Sequence, residues 1–136
     1  SYPDRNAAFA AALKKSARYY VDIAVRTPVE VVEAIVAAGG VAVLAHPFMA
    51  RRAAPLSDAG IGELAEAGLF ALEADHRDHT PAQRERARAL AGQLGVAVTG
   101  SSDYHGTGKP NRLGEGLTSP DVLEAVESAG HLPVLR

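Results

Sequence analysis

The sequence contains no cysteine among its 136 residues. This absence excludes a disulfide framework and thiolate ligation of a metal, so any metal site must use nitrogen and oxygen ligands. No apolar run approaches the roughly 20 residues that a membrane-spanning helix needs. Ser1 does not open a signal-peptide pattern. These absences make a cytoplasmic protein with no membrane partner the default expectation. The first residue is Ser1 rather than Met, so we expect a processed chain or a piece of a longer one.

Aromatic residues and net charge are also scarce. Aromatics make up 5% of the chain, hydrophobic residues make up 47%, and the formal net charge is −2. This hydrophobic content is ordinary for a soluble globular protein and argues against disorder, and the length predicts one domain. A nearly neutral chain lacks the electrostatic footprint of bulk nucleic-acid binding. A local basic cluster would still suit a small phosphorylated substrate or the end of an RNA strand.

A repeated unit organises what is present. The segments AAGGVAVLAH, EAGLFALEAD and QLGVAVTGSSD align on Gly40, Gly68 and Gly95, which are 28 and 27 residues apart, and SAGHLPVLR around Gly130 is a weaker fourth copy. Each copy reads as a helix, a glycine and a short apolar strand. Glycine is favoured just past a helix C-terminus, where it adopts the left-handed conformation. Short, continuously apolar strands are typical of parallel sheets that are covered on both faces.

The helix starts are legible as well. TPVE from Thr27 and TPAQ from Thr80 each combine an N-cap, a proline at the first helical position and a capping-box partner, while Ser119 is a plain N-cap. We predict helices near 4–15, 28–38, 58–67, 81–94 and 120–129. We predict strands near 41–45, 69–74 and 96–100, with weaker ones near 19–25 and 132–135. This alternation predicts an α/β fold with parallel strands, and both a doubly wound sheet and a (βα) barrel fit it.

Metal-competent side chains recur at one phase of the repeat. His46 lies six residues after the first aligned glycine, Glu73 five after the second, and Asp103 and His105 eight and ten after the third. Because the carboxyl ends of parallel strands form the ligand-binding edge of such folds, we expect these side chains to meet there. The alternatives to metal binding are purely structural roles, with His46 ending a strand and Asp103 forming a turn.

Imidazole and carboxylate ligands without thiolate suit Zn, Mn or Fe, and they suit hydrolysis. A bound metal lowers the pKa of water to about 7 and so supplies hydroxide at neutral pH. One ion with three protein ligands is within reach of this chain, whereas a multinuclear site needs more ligands than we find.

Basic residues follow the same strands, and some of them are suited to neutralise phosphate. They are Lys109 and Arg112 in GTGKPNRLG, together with Arg51, Arg52 and Arg77. The glycine-rich piece is not a Walker A loop, because the preceding glycine is missing and Pro110 occupies the Ser/Thr position.

The segments AGGVAVLAHP, GLFALEADHRDHTP and VTGSSDYHGTGKPNRLGE resemble the C-terminal half of the polymerase and histidinol phosphatase (PHP) domain family. The similarity is greatest to the metal-dependent phosphoesterases encoded near tryptophan operons, and it extends from about Asp4 onward. The resemblance implies a distorted (βα)7 barrel with a trinuclear metal site, of which this chain forms about half. Residues 27–136 would be the C-terminal part of the barrel, and residues 1–26 a leading helix and connector from an insertion subdomain.

The resemblance implies that His46, Asp103 and His105 are metal ligands, and Glu73 matches a strand end of the family although Ala74 replaces the usual Val. We assign catalytic roles to Glu73 and His76. We assign substrate binding to His79, Arg77, Lys109 and Arg112. For His76 and His79, which flank a predicted helix start, a purely structural role there is an equal alternative.

The family's N-terminal ligands have no counterpart here, since no histidine precedes His46. We therefore expect the missing N-terminal half of the barrel to come from a longer polypeptide or a second chain. Half a barrel should expose strand edges and apolar surface, which favours a homo-oligomer or pairing with the missing half.

Two hypotheses remain. One is the C-terminal portion of a metal-dependent phosphoesterase with Mn, Fe or Zn ions, multinuclear in the complete protein. It would use metal-activated hydroxide to hydrolyse phosphate monoesters of nucleotides, such as 3′,5′-bisphosphates, or to trim short RNA 5′ ends. The other is a non-catalytic half-barrel or interaction module with an incomplete metal site. A doubly wound nucleotide-binding domain is disfavoured, because no glycine-rich loop follows the first strand.

Overall fold

The computed structural model describes residues 2–22, 24–49, 56–106 and 109–132. Within them the fold is α/β. Its elements, in chain order, are α1 (Arg5–Ala12), α2 (Pro28–Ala37), β1 (Val43–Leu44), α3 (Asp58–Glu66), β2 (Ala71–Asp75), α4 (Pro81–Leu94), β3 (Ala97–Gly100) and α5 (Pro120–Ala129). All the helices and the three main strands predicted from the sequence are confirmed. Across the described parts of the chain, no helix has the length and apolar character needed to cross a membrane.

The two weaker strand predictions have different outcomes. The described residues of 19–25 form turns and irregular backbone, so the strand predicted there is wrong for them. Val21 and Val25 in this stretch are exposed rather than covered by another layer. Of the strand predicted at 132–135, all but Leu132 lies outside the described residues.

The three strands form one parallel sheet in the order β1-β2-β3. Val43 lies opposite Ala71, and Leu72 lies opposite Val98, so β2 is the central strand. A doubly wound sheet reverses its strand order at a switch point, whereas here each strand pairs with the next one along the chain. The topology is therefore consistent with a partial barrel. Among the described residues, β1 and β3 each pair on one side only.

Two helices begin as their sequences predict. The Thr27 hydroxyl accepts from the Glu30 N–H, and the Glu30 carboxylate accepts from the Thr27 N–H at 2.7 Å. Thr80 and Gln83 make the same reciprocal pair at the start of α4. Ser119 is the N-cap of α5, but its side chain makes no capping hydrogen bond. The capping boxes thus fix where α2 and α4 leave the strand-end loops that precede them.

The aligned glycines end the helices in different ways. Gly68 and Gly95 have positive φ angles of 103° and 68°, as predicted. In the first copy Gly39, at φ 76°, takes this role instead of Gly40, because α2 ends one residue earlier than the alignment implies. Gly130 caps α5 with extended backbone at φ −80°, so the fourth copy does not follow the pattern.

The core lies between β2 and the helices α3 and α4. Leu72, Ala71 and Ala74 on β2 are fully buried. Leu72 and Ala74 pack in one hydrophobic cluster with Ile61 of α3 and Ala87 of α4. Because β2 is covered on both faces, its buried positions are consecutive rather than alternating. One of these buried positions holds a carboxylate, that of Glu73.

Gly116 and Gly95 provide a matched pair for testing backbone packing near the strand ends. Both have left-handed φ angles, 66° and 68°. A Cβ at Gly116 would collide with the carbonyl oxygen of Asp75 and lie 2.8 Å from that of Ser101, whereas a Cβ at Gly95 would meet nothing within 4 Å. We expect Gly95→Ala to lower the free energy of unfolding by about 1 kcal/mol, the conformational cost alone. Gly116→Ala should lower it by more than about 2 kcal/mol, because backbone must also move. Urea denaturation measures both, and equal losses would contradict the packing seen at Gly116.

Candidate functional site

The carboxyl ends of the three strands bring several polar side chains together. His46 follows β1 by two residues, His76 follows β2 directly, and Asp103 follows β3 by three. The ring centroids of His46 and His76 are 5.0 Å apart. The Nε2 atom of His76 is 3.7 Å from Oδ2 of Asp103. Residues 45–49, the first ligand loop, and residues 101–106, the second ligand loop, therefore meet beside the end of β2.

Glu73 lies between these two loops. It is on the central strand, and only 6% of its surface is exposed. Its Oε2 accepts a hydrogen bond from the backbone N–H of His46 at 2.7 Å, and its Oε1 accepts one from the Ser101 hydroxyl at 2.5 Å. A hydrogen bond to an ionised group contributes about 1.5–3 kcal/mol to stability. The buried carboxylate is thus satisfied by groups of both ligand loops.

The two residues predicted to be metal ligands at the ends of β1 and β3 have unusual backbone conformations. His46 has φ 35° and Asp103 has φ 47°, and these are the non-glycine residues with positive φ in the described chain. Such conformations cost about 1–3 kcal/mol, with Asp tolerated better than most residues. They persist only where surrounding contacts over-determine them, and they concentrate at functional sites.

The carboxylate of Asp103 has charged and imidazole neighbours. Lys109 forms an ion pair with its Oδ2, and the Nδ1 of His105 lies 3.4 Å from its Oδ1. The hydrogen bond from Lys109 lowers the pKa of the Asp103 carboxyl, partial burial opposes this shift, and the charges of Lys109, His105 and His76 reinforce it. Asp103 is therefore an anion at neutral pH. Lys109, predicted to contact substrate, contacts a predicted metal ligand here.

His76 is fully buried and only half satisfied. Its Nδ1 accepts from the backbone N–H of Asp78 at 3.2 Å, so a neutral ring carries its proton on Nε2. That Nε2 is buried and has no hydrogen-bond partner among the described residues. It points toward Asp103 across 3.7 Å. An unsatisfied buried donor of this kind is rare in native structures, and it marks the place where a further polar group fits.

The other predicted substrate contacts lie in different surroundings. His79 is buried, with Nδ1 2.9 Å from the Ala74 carbonyl oxygen and Nε2 accepting from the Phe48 N–H. Both of its nitrogens therefore bind backbone and tie the first ligand loop to β2. Arg77 pairs with Glu115 at 3.2 Å, and Arg112 is exposed. Their roles in substrate binding stay predictions, and Arg51 and Arg52 lie outside the described residues.

Three residues of the site were not singled out by the sequence reasoning. Ser101 links Glu73 to the second ligand loop. The buried side chain of Asn111 donates to the carbonyl oxygen of Ser102 at 2.7 Å. Arg84, which reads as part of a solvated helix face, donates to the His76 carbonyl oxygen at 3.0 Å. For Ser101, its position directly after an apolar strand and before Asp103 was an available signal, whereas nothing local distinguishes Arg84 from its neighbours.

An open cavity of about 380 Å³ lies beside His76. Its lining includes the cations Arg77 and Arg84 and the carboxylates Asp75 and Glu115. Arg88 neutralises Asp75 at 2.5 Å, and Arg77 pairs with Glu115. The cavity is thus a polar, charge-balanced recess at the same edge of the sheet as the two ligand loops.

The side chains at this edge of the sheet offer donors that suit a divalent cation. Imidazole nitrogen and carboxylate oxygen, without sulfur, are donors that Zn, Mn and Fe accept. However, no three histidine or acidic side chains of the described residues converge closely enough to hold an ion. The chemistry of the donors fits a metal, but their arrangement in this chain falls short of a complete site.

Two known proteins that resemble this chain are named as enzymes acting on phosphate esters. No protein-family profile matches the chain. Over 77 residues it is 42% identical to phosphoribosyl 1,2-cyclic phosphate 1,2-diphosphodiesterase of Eggerthella lenta, a match that covers 57% of this chain and 28% of that protein. A crystal structure named as a metal-dependent phosphoesterase, from Bifidobacterium adolescentis, shares 40% identity at a TM-score of 0.81. That match covers 95% of this chain and 46% of the other.

The chain therefore spans less than half the length of either relative. At this identity and TM-score, the α/β fold of the described residues corresponds to part of the Bifidobacterium structure. Both similarities support the resemblance to a PHP-like phosphoesterase that the motifs indicate.

The Lys109–Asp103 ion pair predicts a pH-dependent contribution to stability. Because the pKa of Asp103 is lowered on folding, the stabilisation is present above its ordinary value near 4 and is lost as the pH falls through the lower folded value. Lys109→Met should reduce the free energy of unfolding at pH 7 by up to about 1 kcal/mol, since both side chains are partly exposed.

Urea denaturation between about pH 2.5 and pH 7 measures this difference across the window in which Asp103 titrates. Lys14→Met, at an exposed lysine on the turn after α1, is the control for loss of one positive charge. The deficit of Lys109→Met should shrink toward the acid end. A deficit that stays constant over the range would show that Lys109 acts through packing rather than charge.

Proposed function

We propose that this chain is the C-terminal part of a metal-dependent phosphoesterase of the PHP type. Residues 27–136 contribute the described strand–helix units of the barrel, and residues 1–26 belong to a leading segment from an insertion subdomain. The observation that carries the proposal is the match of nearly the whole chain to the Bifidobacterium phosphoesterase structure. The meeting of both ligand loops at one sheet edge supports it, since active sites of such folds lie there.

His46, Asp103 and His105 are proposed to hold a divalent cation, Mn, Fe or Zn, with the remaining ligands and ions supplied by a longer chain or a second chain. When bound, such a cation lowers the pKa of a water molecule to about 7 and provides hydroxide. The ionised carboxylate of Asp103 is prepared for this role by its surroundings. The buried Nε2 proton of His76 is available to a group between the two loops. Lys109, Arg77 and Arg112 supply positive charge for a phosphate, and His79 holds the loop that carries His46.

Two classes of substrate are supported by different observations. The resemblance to the PHP family implies phosphate monoesters of nucleotides, such as 3′,5′-bisphosphates, or the 5′ ends of short RNA. The Eggerthella lenta relative, named for a phosphoribosyl cyclic phosphate, favours a phosphodiester of a small sugar phosphate. The cavity beside His76, at about 380 Å³, falls within the range of small-molecule sites, roughly 300–1,000 Å³.

The alternative is a non-catalytic half-barrel that serves as an interaction module. It is supported by the absence of a three-ligand group among the described residues. Exposed apolar side chains on α2 and β1 also support it, namely Val31, Ile35, Val36 and Val43. In this alternative the chain pairs with the missing half of a barrel or with a second copy of itself.

Metal binding distinguishes the two proposals. The purified chain is loaded with Mn²⁺ or Zn²⁺, dialysed and examined by elemental analysis beside the double variant His46→Ala/Asp103→Ala. We expect bound metal in the unchanged chain and at least a tenfold loss in the variant, since both removed side chains are proposed ligands. Glu63→Ala, which removes an exposed carboxylate of α3, controls for nonspecific binding. Equal metal content in all three proteins, or none in any, would favour the interaction module, whose self-association sedimentation would then measure.

Substrate class is tested in the presence of Mn²⁺ by phosphorus NMR, which distinguishes phosphate released from a monoester from the monoester formed when a cyclic diester is opened. Adenosine 3′,5′-bisphosphate represents the monoesters, and a ribose cyclic phosphate represents the diesters. Release from the first alone would support the nucleotide proposal, while ring opening of the second alone would favour the diester proposal. Activity that persists in His46→Ala/Asp103→Ala would contradict both.

A further inference from the structure

Glu73 is a buried acid whose two carboxylate oxygens are both occupied by hydrogen bonds within the protein. Its position at a strand end predicts a catalytic role. Yet each of its two carboxylate oxygens already accepts a hydrogen bond, from the His46 N–H and from the Ser101 hydroxyl. No lysine, arginine or histidine of the described chain forms a salt bridge with it. Only 6% of the surface of Glu73 is exposed to solvent.

We infer that Glu73 is a positioning residue, which holds the two ligand loops in register across the central strand. This inference rests on the proposed function in so far as His46 and Asp103 are metal ligands. The structural part, that one carboxylate fixes both loops, stands on the hydrogen bonds alone. Glu73 is thereby given a different role from direct contact with metal or substrate.

The hydrogen bonds form one continuous chain across the sheet. The Asp103 N–H donates to the Ser101 hydroxyl oxygen at 3.3 Å, the Ser101 hydroxyl donates to Glu73, and the other oxygen of Glu73 accepts from His46. Linked hydrogen bonds polarise one another, so that each is strengthened by the next. Because the Glu73 carboxylate lies in the middle of this series of hydrogen bonds, the His46 N–H and the Ser101 hydroxyl both donate toward it.

This series of hydrogen bonds begins and ends at residues with strained backbone. His46 and Asp103 are the residues with φ of 35° and 47°, and each uses its own N–H in the chain. A left-handed conformation at a histidine persists only when contacts hold it. The hydrogen bond from the His46 N–H to a buried carboxylate is a contact of that kind.

The position of Glu73 in the sheet explains why one residue serves both loops. β2 is the central strand, with β1 on one side and β3 on the other. A side chain at its carboxyl end is within reach of the residues that follow each neighbour. Glu73 lies opposite Thr99, just before the irregularity between Glu73 and Asp75 in the pairing of β2 with β3.

The test combines amide hydrogen exchange, read by NMR at His46 and Asp103, with calorimetric measurement of Mn²⁺ affinity. Glu73→Ala should speed exchange at both amides at least tenfold and weaken Mn²⁺ binding by about 10–100-fold, the usual range for residues that orient ligands. Ser101→Ala should affect the Asp103 amide and leave that of His46 unchanged.

Glu73→Gln is the decisive variant. Its amide oxygen can accept from His46 while its NH₂ donates to the Ser101 hydroxyl oxygen, so both loops stay connected. We expect exchange at His46 and Mn²⁺ affinity to remain within about fivefold of the unchanged chain, well short of the effect of removing a ligand-orienting group. Glu63→Ala is the matched control for loss of one carboxylate.

The inference is overturned if Glu73→Gln and Glu73→Ala weaken Mn²⁺ binding equally while the His46 amide is unaffected, because Glu73 would then act directly on the metal. It is also overturned if Glu73→Ala leaves both amides unchanged. If Glu73→Ala does not fold, Glu73→Gln and Ser101→Ala still decide the matter. An unchanged chain that binds no Mn²⁺ would count against the proposed function, whereas the exchange rates would still decide the role of Glu73.

Discussion

The site depends on a buried carboxylate at the centre of the sheet. Burying an anion is unfavourable unless its hydrogen-bonding capacity is met, and Glu73 meets it with a backbone N–H after β1 and a hydroxyl after β3. Three strand ends are thus linked through one side chain, in addition to the ladder that joins the strands themselves. Because the requirement is electrostatic, an apolar residue of similar size at this place would leave the His46 N–H without its acceptor.

The charges around Asp103 show how the second loop is arranged. Its carboxylate is contacted by Lys109, faced by His105, and approached by the buried His76. Each of these groups favours the anion. The carboxylates at this edge of the sheet therefore differ in kind. Glu73 is enclosed by neutral donors, whereas Asp103 is paired with Lys109, lies beside two imidazole rings and is more open.

Much of the fold could be predicted from local signals. The proline-containing capping boxes at Thr27 and Thr80 specify helix starts by contacts three residues apart. β2 is recognisable because burial on both faces favours a run of consecutive apolar residues, which in this strand only Glu73 interrupts before Asp75. The candidate site was predictable only as a location. The links from Arg84 to His76 and from Glu73 to Ser101 depend on the paths of loops between distant segments. No periodicity in the sequence encodes those paths, and the placement of Gly39 rather than Gly40 at the end of α2 shows the same limit on a smaller scale.

The unequal lengths of the strands divide the site into parts of different local stability. Among the described residues, β1 pairs with β2 at Val43 and Leu44, with one further backbone hydrogen bond from Phe70 to Ala42, whereas β3 pairs with β2 at four positions. Segments with few ladder contacts open more readily than the rest of a domain, so the segment carrying His46 is expected to be the last to close and the first to open. A ligand that binds only the closed form stabilises it by mass action. Any ion held jointly by His46 and Asp103 would therefore stabilise the pairing of β1 with β2. Its occupancy would be coupled to the local opening of β1.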